Sequence, residues 1–329
     1  MSGSRLSIFL EDAPLPEGVI VVLGAGAESD LAALPEGAIY VCGQKPDYDI
    51  LQARRFDVRL EAPERADAVV VFLPRAKRAA QAMLARAAGL APLVLVDGQK
   101  HDGVDSLYKA CRARVDCGPA FSKAHGKSFV MYVGDQVGGF DDWVEAGGLR
   151  EIEGDFVTAP GVFSADGPDP ASVALVAALP GTLKGAFADL GAGWGFLSRA
   201  VLAREGVVSL DLVEADHVAL ECARRNVSDP RVRFHWADAT RWAPEAKLDG
   251  VVMNPPFHEG RRGVPELGQR FIAAAAGMLK PAGHLWMVAN RHLPYEAALA
   301  EQFHEVTEIG GDTRFKIFRA ARPSRKAKR

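Results

Sequence analysis

Phe187-Ala-Asp-Leu-Gly-Ala-Gly-Trp-Gly195 runs from an apolar strand pattern through a glycine-rich turn into a helical pattern that continues to residue 203. In a doubly wound α/β sheet, nucleotide-like ligands bind where a strand passes through such a turn into a helix, because glycines let the backbone come close to the ligand. The segment therefore predicts an α/β fold with a ligand site at this turn. The candidate site positions in it are Asp189, Gly191, Gly193 and Gly195.

The loop alone leaves three interpretations open, namely an S-adenosylmethionine site, a dinucleotide site and a purely structural turn. A dinucleotide fingerprint requires glycine at position 196, where this chain has Phe196, and the bulky Trp194 interrupts the loop. The acidic residues that follow narrow the choice. Glu214 ends the next predicted strand, where its carboxylate can accept hydrogen bonds from both hydroxyls of a ribose. Asp238 follows the strand after that and is placed to accept from an adenine amino group, although either acid could instead only cap a following helix.

Apolar strands and Ala-rich helices alternate along the whole chain, which predicts a mainly parallel sheet with helices on both faces. In the first half, Pro74 at a first helical position and Gly89 after the last apolar residue predict a helix over residues 74–88. The stretch 133–155, which is rich in Gly and Asp, separates the two halves. We therefore predict two domains, 1–145 and 146–329, with a boundary uncertain by about ten residues.

The two halves align as copies of one α/β unit. Val22-Leu-Gly-Ala-Gly26 corresponds to Asp189-Leu-Gly-Ala-Gly193, but the first half lacks the polar groups of the second. Its corresponding residues are Val22 for Asp189, Cys42 for Glu214, Phe72 for Asn254 and Arg75 for Phe257. The alignment predicts two tandem Rossmann-like domains, of which the first is degenerate and binds no cofactor.

Composition excludes several classes of protein. The 329 residues are 48% hydrophobic, with a mean hydropathy near zero, as in ordinary globular proteins. Neither an uncharged apolar run of 18 residues nor a secretory pattern at the N-terminus is present, so we expect a cytoplasmic protein without membrane contact. The four cysteines form no C-x-x-C pair, and we expect no metal. The net charge of −3 argues against coating nucleic acid by bulk charge, while the basic last eleven residues are either a solvated tail or a contact for nucleic acid.

Asn254-Pro255-Pro256-Phe257, directly after an apolar strand, carries the most specific chemistry. The lone pair of an exocyclic amine on a nucleobase is delocalised, so the amine attacks a sulfonium methyl only when acceptors hold its hydrogens. The Asn254 side-chain oxygen and the Pro255 carbonyl supply two acceptors, and proline keeps the backbone fixed. Phe257 offers a face on which the planar group can stack. This motif predicts the transfer of a methyl group from S-adenosylmethionine to an amine.

Four motifs, taken in order, resemble the ribosomal RNA guanine-N2 methyltransferases of the RsmC and RlmG type, which are class I enzymes of the small methyltransferase domain group. The motifs are Pro160-Gly-Val-Phe-Ser-Ala-Asp166, Asn254-Pro-Pro-Phe-His258, Val288-Ala-Asn-Arg-His-Leu293 and Arg314-Phe-Lys-Ile-Phe-Arg-Ala320. The resemblance implies that Phe163 and Asp166 help to close over the cofactor. The third motif looks more like the large-subunit enzymes and the fourth more like the small-subunit ones, and we favour the small subunit.

We therefore expect methyl transfer to an exocyclic amine, most specifically guanine N2 of ribosomal RNA, by a monomer that acts on ribosomal RNA or a ribosomal subunit. Arg261 and Arg262 are expected to contact RNA phosphates. Two alternatives use the same sequence features. One is a protein-glutamine or DNA-adenine amino-methyltransferase, and the other is a non-catalytic RNA-binding assembly factor with a vestigial site.

Overall fold

The computed structural model describes residues 4–134, 137–256, 258–259, 262–263 and 265–324. The chain divides into two compact units. The first ends at Leu149 and also takes in Ala159–Gly161, and the second comprises Arg150–Thr158 and the residues from Val162 onward. Along the part of the chain that is described, no helix combines the length and apolar character needed to cross a membrane.

The first unit is one sheet with helices on both faces. Its helices are α1 (Arg5–Asp12), α2 (Lys45–Ala53), α3 (Lys77–Leu90), α4 (Val104–Arg112) and α5 (Asp141–Ala146), with 3₁₀ turns at Lys100–Asp102 and Val137–Phe140. Its strands are β1 (Ile20–Leu23), β2 (Ile39–Val41), β3 (Asp57–Arg59), β4 (Ala68–Phe72), β5 (Leu93–Gln99), β6 (Asp116–Cys117), β7 (Phe121–Lys123) and β8 (Gly126–Tyr132). The strand order is β3-β2-β1-β4-β5-β8-β6, and β7 pairs with β8.

The second unit repeats this plan. Its helices are α6 (Pro170–Ala178), α7 (Phe196–Leu202), α8 (His217–Asn226), α9 (Pro265–Met278) and α10 (Glu296–Gln302). Its strands are β9 (Arg150–Ile152), β10 (Phe156–Thr158), β11 (Gly185–Leu190), β12 (Val207–Glu214), β13 (Val232–Trp236), β14 (Leu248–Met253), β15 (His258–Glu259), β16 (Arg262–Gly263), β17 (Leu279–Asn290), β18 (Phe303–Gly311) and β19 (Phe315–Pro323). The order of its main sheet is β13-β12-β11-β14-β17-β19-β18.

Both sheets are parallel over their first five strands and antiparallel at the end, where β8 pairs with β5 and β19 with β17. Alternate residues of the central strands enter cores on opposite faces. In β14, Val251 and Met253 belong to one apolar cluster and Val252 to the other. Burial on both faces explains why these strands read as continuous apolar runs. The predicted α/β class with two tandem Rossmann-like domains is confirmed.

One helix differs from its prediction. α3 begins at Lys77 rather than at Pro74, and it passes through Gly89 to end at Leu90. A Cβ at Gly89 would meet no atom within 4 Å, so glycine there marks no turn. The helix ends because Pro92 follows, and the residue before a proline is driven out of the helical region.

The strand registers support the alignment of the two halves residue by residue. Leu23 pairs with Val41 and Val71 in the first sheet, as Leu190 pairs with Val213 and Met253 in the second. The next residues along these strands are therefore equivalent. Cys42 therefore lies where the second unit has Glu214, and Phe72 lies where the second unit has Asn254.

Candidate active site

The glycine loop and the Asn254 loop leave the sheet side by side. Leu190 at the end of β11 pairs with Met253 at the end of β14, so Gly191 and Asn254 are the first residues beyond two neighbouring strands. A Cβ on Gly191 would lie 3.9 Å from Cδ of Pro256. The carboxyl ends of adjacent parallel strands thus bring together the two motifs that the sequence singles out.

The loop glycines are required for different reasons. Gly191, Gly193 and Gly195 have φ values of +71°, +57° and +93°, in the region that favours glycine. A Cβ on Gly195 would lie 2.8 Å from Cγ2 of Val227, so this glycine permits helix packing. A Cβ on Gly193 would meet no heavy atom within 4 Å. The backbone at Gly193 therefore borders open space into which a ligand can come close.

Glu214, at the end of β12, is half-buried beside this space. Its Oε2 accepts from the Gly193 N–H across 2.6 Å, and its Oε1 accepts from the Asp216 N–H across 2.7 Å. Burial raises the pKa of the Glu214 carboxyl, while the two backbone donors oppose that shift. A carboxylate at the end of the second strand, next to a glycine loop, is the arrangement that holds a ribose in nucleotide-binding sheets.

Asp189 is placed differently from the other candidate cofactor residues. Its side chain is fully buried, and its Oδ2 accepts from Ser198 Oγ across 2.7 Å. Oδ1 has no hydrogen-bond partner among the described residues. Burial raises the pKa of Asp189 to about 7, the Ser198 hydroxyl opposes this shift, and the nearby Glu214 charge adds to it. Asp189 thus acts on the loop through α7, and its assignment as a direct cofactor contact stays a prediction.

Asp238 lies half-buried after β13. Its Oδ1 accepts from both the backbone N–H and the hydroxyl of Thr240, at 2.8 and 2.7 Å. One oxygen therefore stabilises the turn that follows β13, and the described residues between β13 and β14 form no helix, so the alternative that Asp238 only caps a helix is wrong. Contact with an adenine amino group requires the other oxygen and stays a prediction.

Asn254 is held by two residues far away in sequence. Its amide Nδ2 donates to Asp169 Oδ2 across 2.9 Å and to Ser172 Oγ across 3.0 Å. Asp169 is the N-cap of α6, and its Oδ2 also accepts from the Ser172 N–H across 2.9 Å. Our sequence reasoning missed both residues. An Asp followed by Pro170 at the first helical position is a recognisable N-cap signal that could have pointed to Asp169.

Asn254 and Pro255 line a cleft of about 450 Å³, including the part open to solvent. Phe163 and Phe315 also line it, and the side chain of Phe163 is 57% exposed. The other lining residues are Asp169, Ala171, Ala289, Asn290, Leu293 and Tyr295. The cleft thus combines aromatic faces with hydrogen-bonding groups.

Trp194 connects the glycine loop to the segment that carries Phe163. Its Nε1 donates to the Phe163 carbonyl across 3.0 Å, and its ring packs on Phe156 with centroids 4.8 Å apart. The bulky residue in the loop is therefore a structural link. Asp166, on the same segment, forms an ion pair with Arg150. The expected closure of Phe163 and Asp166 over a cofactor stays a prediction.

In the first unit, side chains occupy the equivalent space. At Gly26, the equivalent of Gly193, a Cβ would lie 3.1 Å from an oxygen of Asp47, and that carboxylate accepts from the Ala27 N–H. Cys42 is buried, and burial raises the pKa of its thiol to about 11. At the carboxyl end of β5, Asp97 is buried in a bidentate ion pair with Arg5. The positions of the first unit that correspond to Gly193 and Glu214 are thus occupied by internal contacts or by a buried thiol.

Three expected contacts fall outside this description. Phe257 and Arg261 lie outside the described residues, and for Arg262 only the backbone belongs to them. Among the residues that are described, no cluster of His, Cys, Asp or Glu has the arrangement of a metal site.

Comparisons with known proteins show that the chain is similar to methyltransferases. The methyltransferase small domain family matches residues 153–319. The chain is 30% identical over 274 residues to ribosomal RNA small subunit methyltransferase C of Shewanella loihica, covering 80% of this chain and 79% of that protein. The corresponding protein of Shewanella oneidensis is 28% identical over the same shares. A solved structure of the T. thermophilus 16S rRNA N2 G1207 methyltransferase RsmC, in complex with AdoMet and guanosine, matches with a TM-score of 0.79. That match has 25% identity and covers 97% of this chain and 92% of the other.

The chain belongs to the methyltransferase small domain family, among relatives named ribosomal RNA small subunit methyltransferase C. The resemblance that the four motifs indicated is confirmed.

Proposed function

We propose that this chain is an S-adenosylmethionine-dependent methyltransferase that modifies guanine N2 in the RNA of the small ribosomal subunit. The observation that carries the proposal is the fixed amide of Asn254, which lies next to the glycine loop and lines a cleft with aromatic walls. The relatives that match 80% of the chain are named ribosomal RNA small subunit methyltransferase C, and the solved structure that matches 97% of it is named a 16S rRNA N2 G1207 methyltransferase.

The residues of the second unit fit S-adenosylmethionine. Gly193 leaves open space beside its backbone, and Glu214 directs a carboxylate to that loop. We assign the ribose hydroxyls to Glu214 and the adenine amino group to the second oxygen of Asp238. The bound cofactor supplies an activated methyl group, so the protein contributes mainly position and electrostatics.

The amine is activated by acceptors rather than by a strong base. Asn254 Oδ1 and the Pro255 carbonyl each accept a hydrogen from guanine N2, which holds the nitrogen lone pair toward the methyl group. As the new N–C bond forms, the S–C bond breaks and its electron pair returns to sulfur. The N2 nitrogen then releases one hydrogen as a proton to solvent. Preorganised acceptors of this kind stabilise the positive charge that develops on the nitrogen.

Phe163 and Phe315 are suited to hold the target base once it has left its stack. Each aromatic face contributes about 1–3 kcal/mol to such stacking in proteins that bind single strands. The first unit, whose equivalent site is filled, binds no cofactor in this proposal and serves RNA recognition or the stability of the second unit. We place the reaction in the cytoplasm, with a monomer acting on ribosomal RNA or an assembled subunit.

Incubation of the full chain with methyl-labelled S-adenosylmethionine and four substrates tests the proposal. The substrates are small-subunit RNA, large-subunit RNA, an adenine-containing DNA duplex and a glutamine peptide. We expect N2-methylguanosine in small-subunit RNA, identified by mass spectrometry of nuclease digests. Label in DNA or peptide would indicate one of the other amino-methyltransferases, and no S-adenosylmethionine binding by calorimetry would indicate a non-catalytic factor.

A further inference from the structure

The hydrogen bonds around Asn254 define which way its amide faces. A side-chain amide presents two hydrogens on one side and an acceptor oxygen on the other. The Asp169 carboxylate can only accept, and Asn254 Nδ2 lies 2.9 Å from its Oδ2. The second hydrogen of Nδ2 is taken by Ser172 Oγ at 3.0 Å. Of the two polar atoms of the Asn254 side chain, Oδ1 is therefore the one on the side away from Asp169 and Ser172, and it can accept from a substrate.

From this geometry, we propose that Asp169 and Ser172 are positioning residues that lock the Asn254 amide with its oxygen available to the substrate amine. The inference rests on the proposed function, because an amine substrate requires an acceptor at this place. A flipped amide would offer its own NH₂ group to the amine, donor against donor. The hydrogen bond that the amide NH₂ donates to the carboxylate also polarises the amide and makes Oδ1 a stronger acceptor.

Asp169 and Ser172, which hold the Asn254 amide, are themselves fixed in place. Asp169 caps α6 through the Ser172 N–H, and Pro170 fixes the first helical residue. Ser172 is only 6% exposed, on the first turn of the same helix. The two partners of Nδ2 are therefore fixed relative to each other by one helical turn. In the first unit, Phe72 stands at the position of Asn254, so no amide needs to be oriented there.

The variant Asp169→Ser together with Ser172→Ala separates positioning from helix capping. Serine caps helices about as well as aspartate, and alanine keeps the backbone N–H that the cap requires. Without the carboxylate, nothing forces the NH₂ side of Asn254 away from the substrate. We expect the single-turnover methylation rate at saturating RNA to fall about tenfold or more, with S-adenosylmethionine affinity and melting temperature near those of the wild type. The Ser4→Ala variant, which removes an N-cap bond from α1 of the first unit, is the stability control.

An exchange of the two side chains gives a sharper test. Asn254→Asp alone puts two carboxylates together and should be inactive. Adding Asp169→Asn restores an amide–carboxylate pair, with an acceptor on the side chain at position 254. The double variant should therefore be at least tenfold faster than Asn254→Asp alone. Asp169→Asn alone loses the carboxylate but keeps an acceptor oxygen at position 169 and the Ser172 hydroxyl, so its rate should lie between those of the wild type and of the Asp169→Ser, Ser172→Ala variant. A wild-type rate in the Asp169→Ser, Ser172→Ala variant would overturn the proposal. So would an Asn254→Asp, Asp169→Asn variant that is no faster than Asn254→Asp alone.

Hydrogen exchange of the Asn254 side chain tests whether its amide is held, and it does so without any methylation reaction. In the wild-type protein, the ¹⁵N-bound side-chain hydrogens of Asn254, assigned with Asn254→Ala, should exchange slowly with solvent and accelerate at least tenfold in the Asp169→Ser, Ser172→Ala variant. If the wild type methylated none of the four substrates, the proposed function would fail while this measurement still tested the lock. Equal exchange in both proteins would show that the amide is not held.

Discussion

The carboxylate of Glu214 and the backbone of Gly193 are joined by a hydrogen bond of 2.6 Å, which links the end of β12 to the loop that leaves β11. The same carboxylate accepts from the Asp216 N–H at the start of α8. One side chain therefore ties together three backbone segments around the space beside Gly193. The acidic residue and the glycine loop are therefore connected, so that we expect a change in either to alter the space beside Gly193.

Glu214→Ala should weaken S-adenosylmethionine binding by about 1.5–3 kcal/mol, because it removes a charged acceptor for the ribose hydroxyls. Isothermal titration calorimetry measures the affinity, and circular dichroism checks that the fold is intact. Glu221→Ala is the matched control, since Glu221 is on the exposed face of α8 and pairs with Arg224. Equal affinities in the wild type and the Glu214 variant would show that the ribose assignment is wrong.

Gly193→Ala and Gly195→Ala should have different effects. The added methyl at Gly193 enters the open space where we place the cofactor, so affinity should fall about tenfold or more, while stability falls by about 1 kcal/mol for the positive φ. At Gly195 the methyl collides with Val227, so loss of stability should dominate. Urea unfolding and calorimetry measure the two quantities. If affinity and stability fell in the same proportion in both variants, the roles assigned to Gly193 and Gly195 would be wrong.

Asn254→Ala should leave S-adenosylmethionine binding nearly unchanged, because the cofactor contacts that we propose do not include this side chain. Turnover should fall about 100-fold or more, since one of two acceptors that orient the amine is lost. Single-turnover assays at saturating RNA measure the chemical step. A defect that saturating RNA rescued would show that Asn254 binds the substrate without orienting its amine.

The full chain should bind one S-adenosylmethionine per molecule. Asp47 occupies the space beside Gly26 in the first unit, and Cys42 supplies no acceptor for a ribose. Calorimetric titration of the intact protein gives the stoichiometry. In the Glu214→Ala variant, no second site with unchanged affinity should remain. Two sites per wild-type chain would overturn the interpretation that the first unit is degenerate.

Asp189 should make the free energy of unfolding decrease as pH rises from about 4 to about 7. Its pKa is about 7 in the folded chain and near 3.9 when unfolded, so in this window the folded state holds a proton that the unfolded state has released. The stability present below this window is lost as pH rises through it, on the order of a few kcal/mol. Asp189→Asn, which does not titrate, should flatten the urea-derived profile. Parallel profiles for the two proteins would contradict the raised pKa.

The amino-acid sequence by itself determined the α/β class, the duplication, and the motifs at Gly191–Gly195 and Asn254. These are short patterns, in which apolar period, glycine position and residue type within a few residues fix the local structure. The parallel sheet then brings the strand ends together, so that neighbouring motifs predict a shared site.

Only the tertiary structure decided which distant groups meet. Asp169 and Ser172 contact Asn254 across more than 80 residues of chain, and no local pattern specifies such a pair. Burial likewise separated two acids that look equivalent in the sequence, since Asp189 faces the packed interior through Ser198 while Glu214 borders the loop. A carboxylate's role depends on its solvation and its partners, and both are set by segments that are remote along the chain and adjacent in the fold.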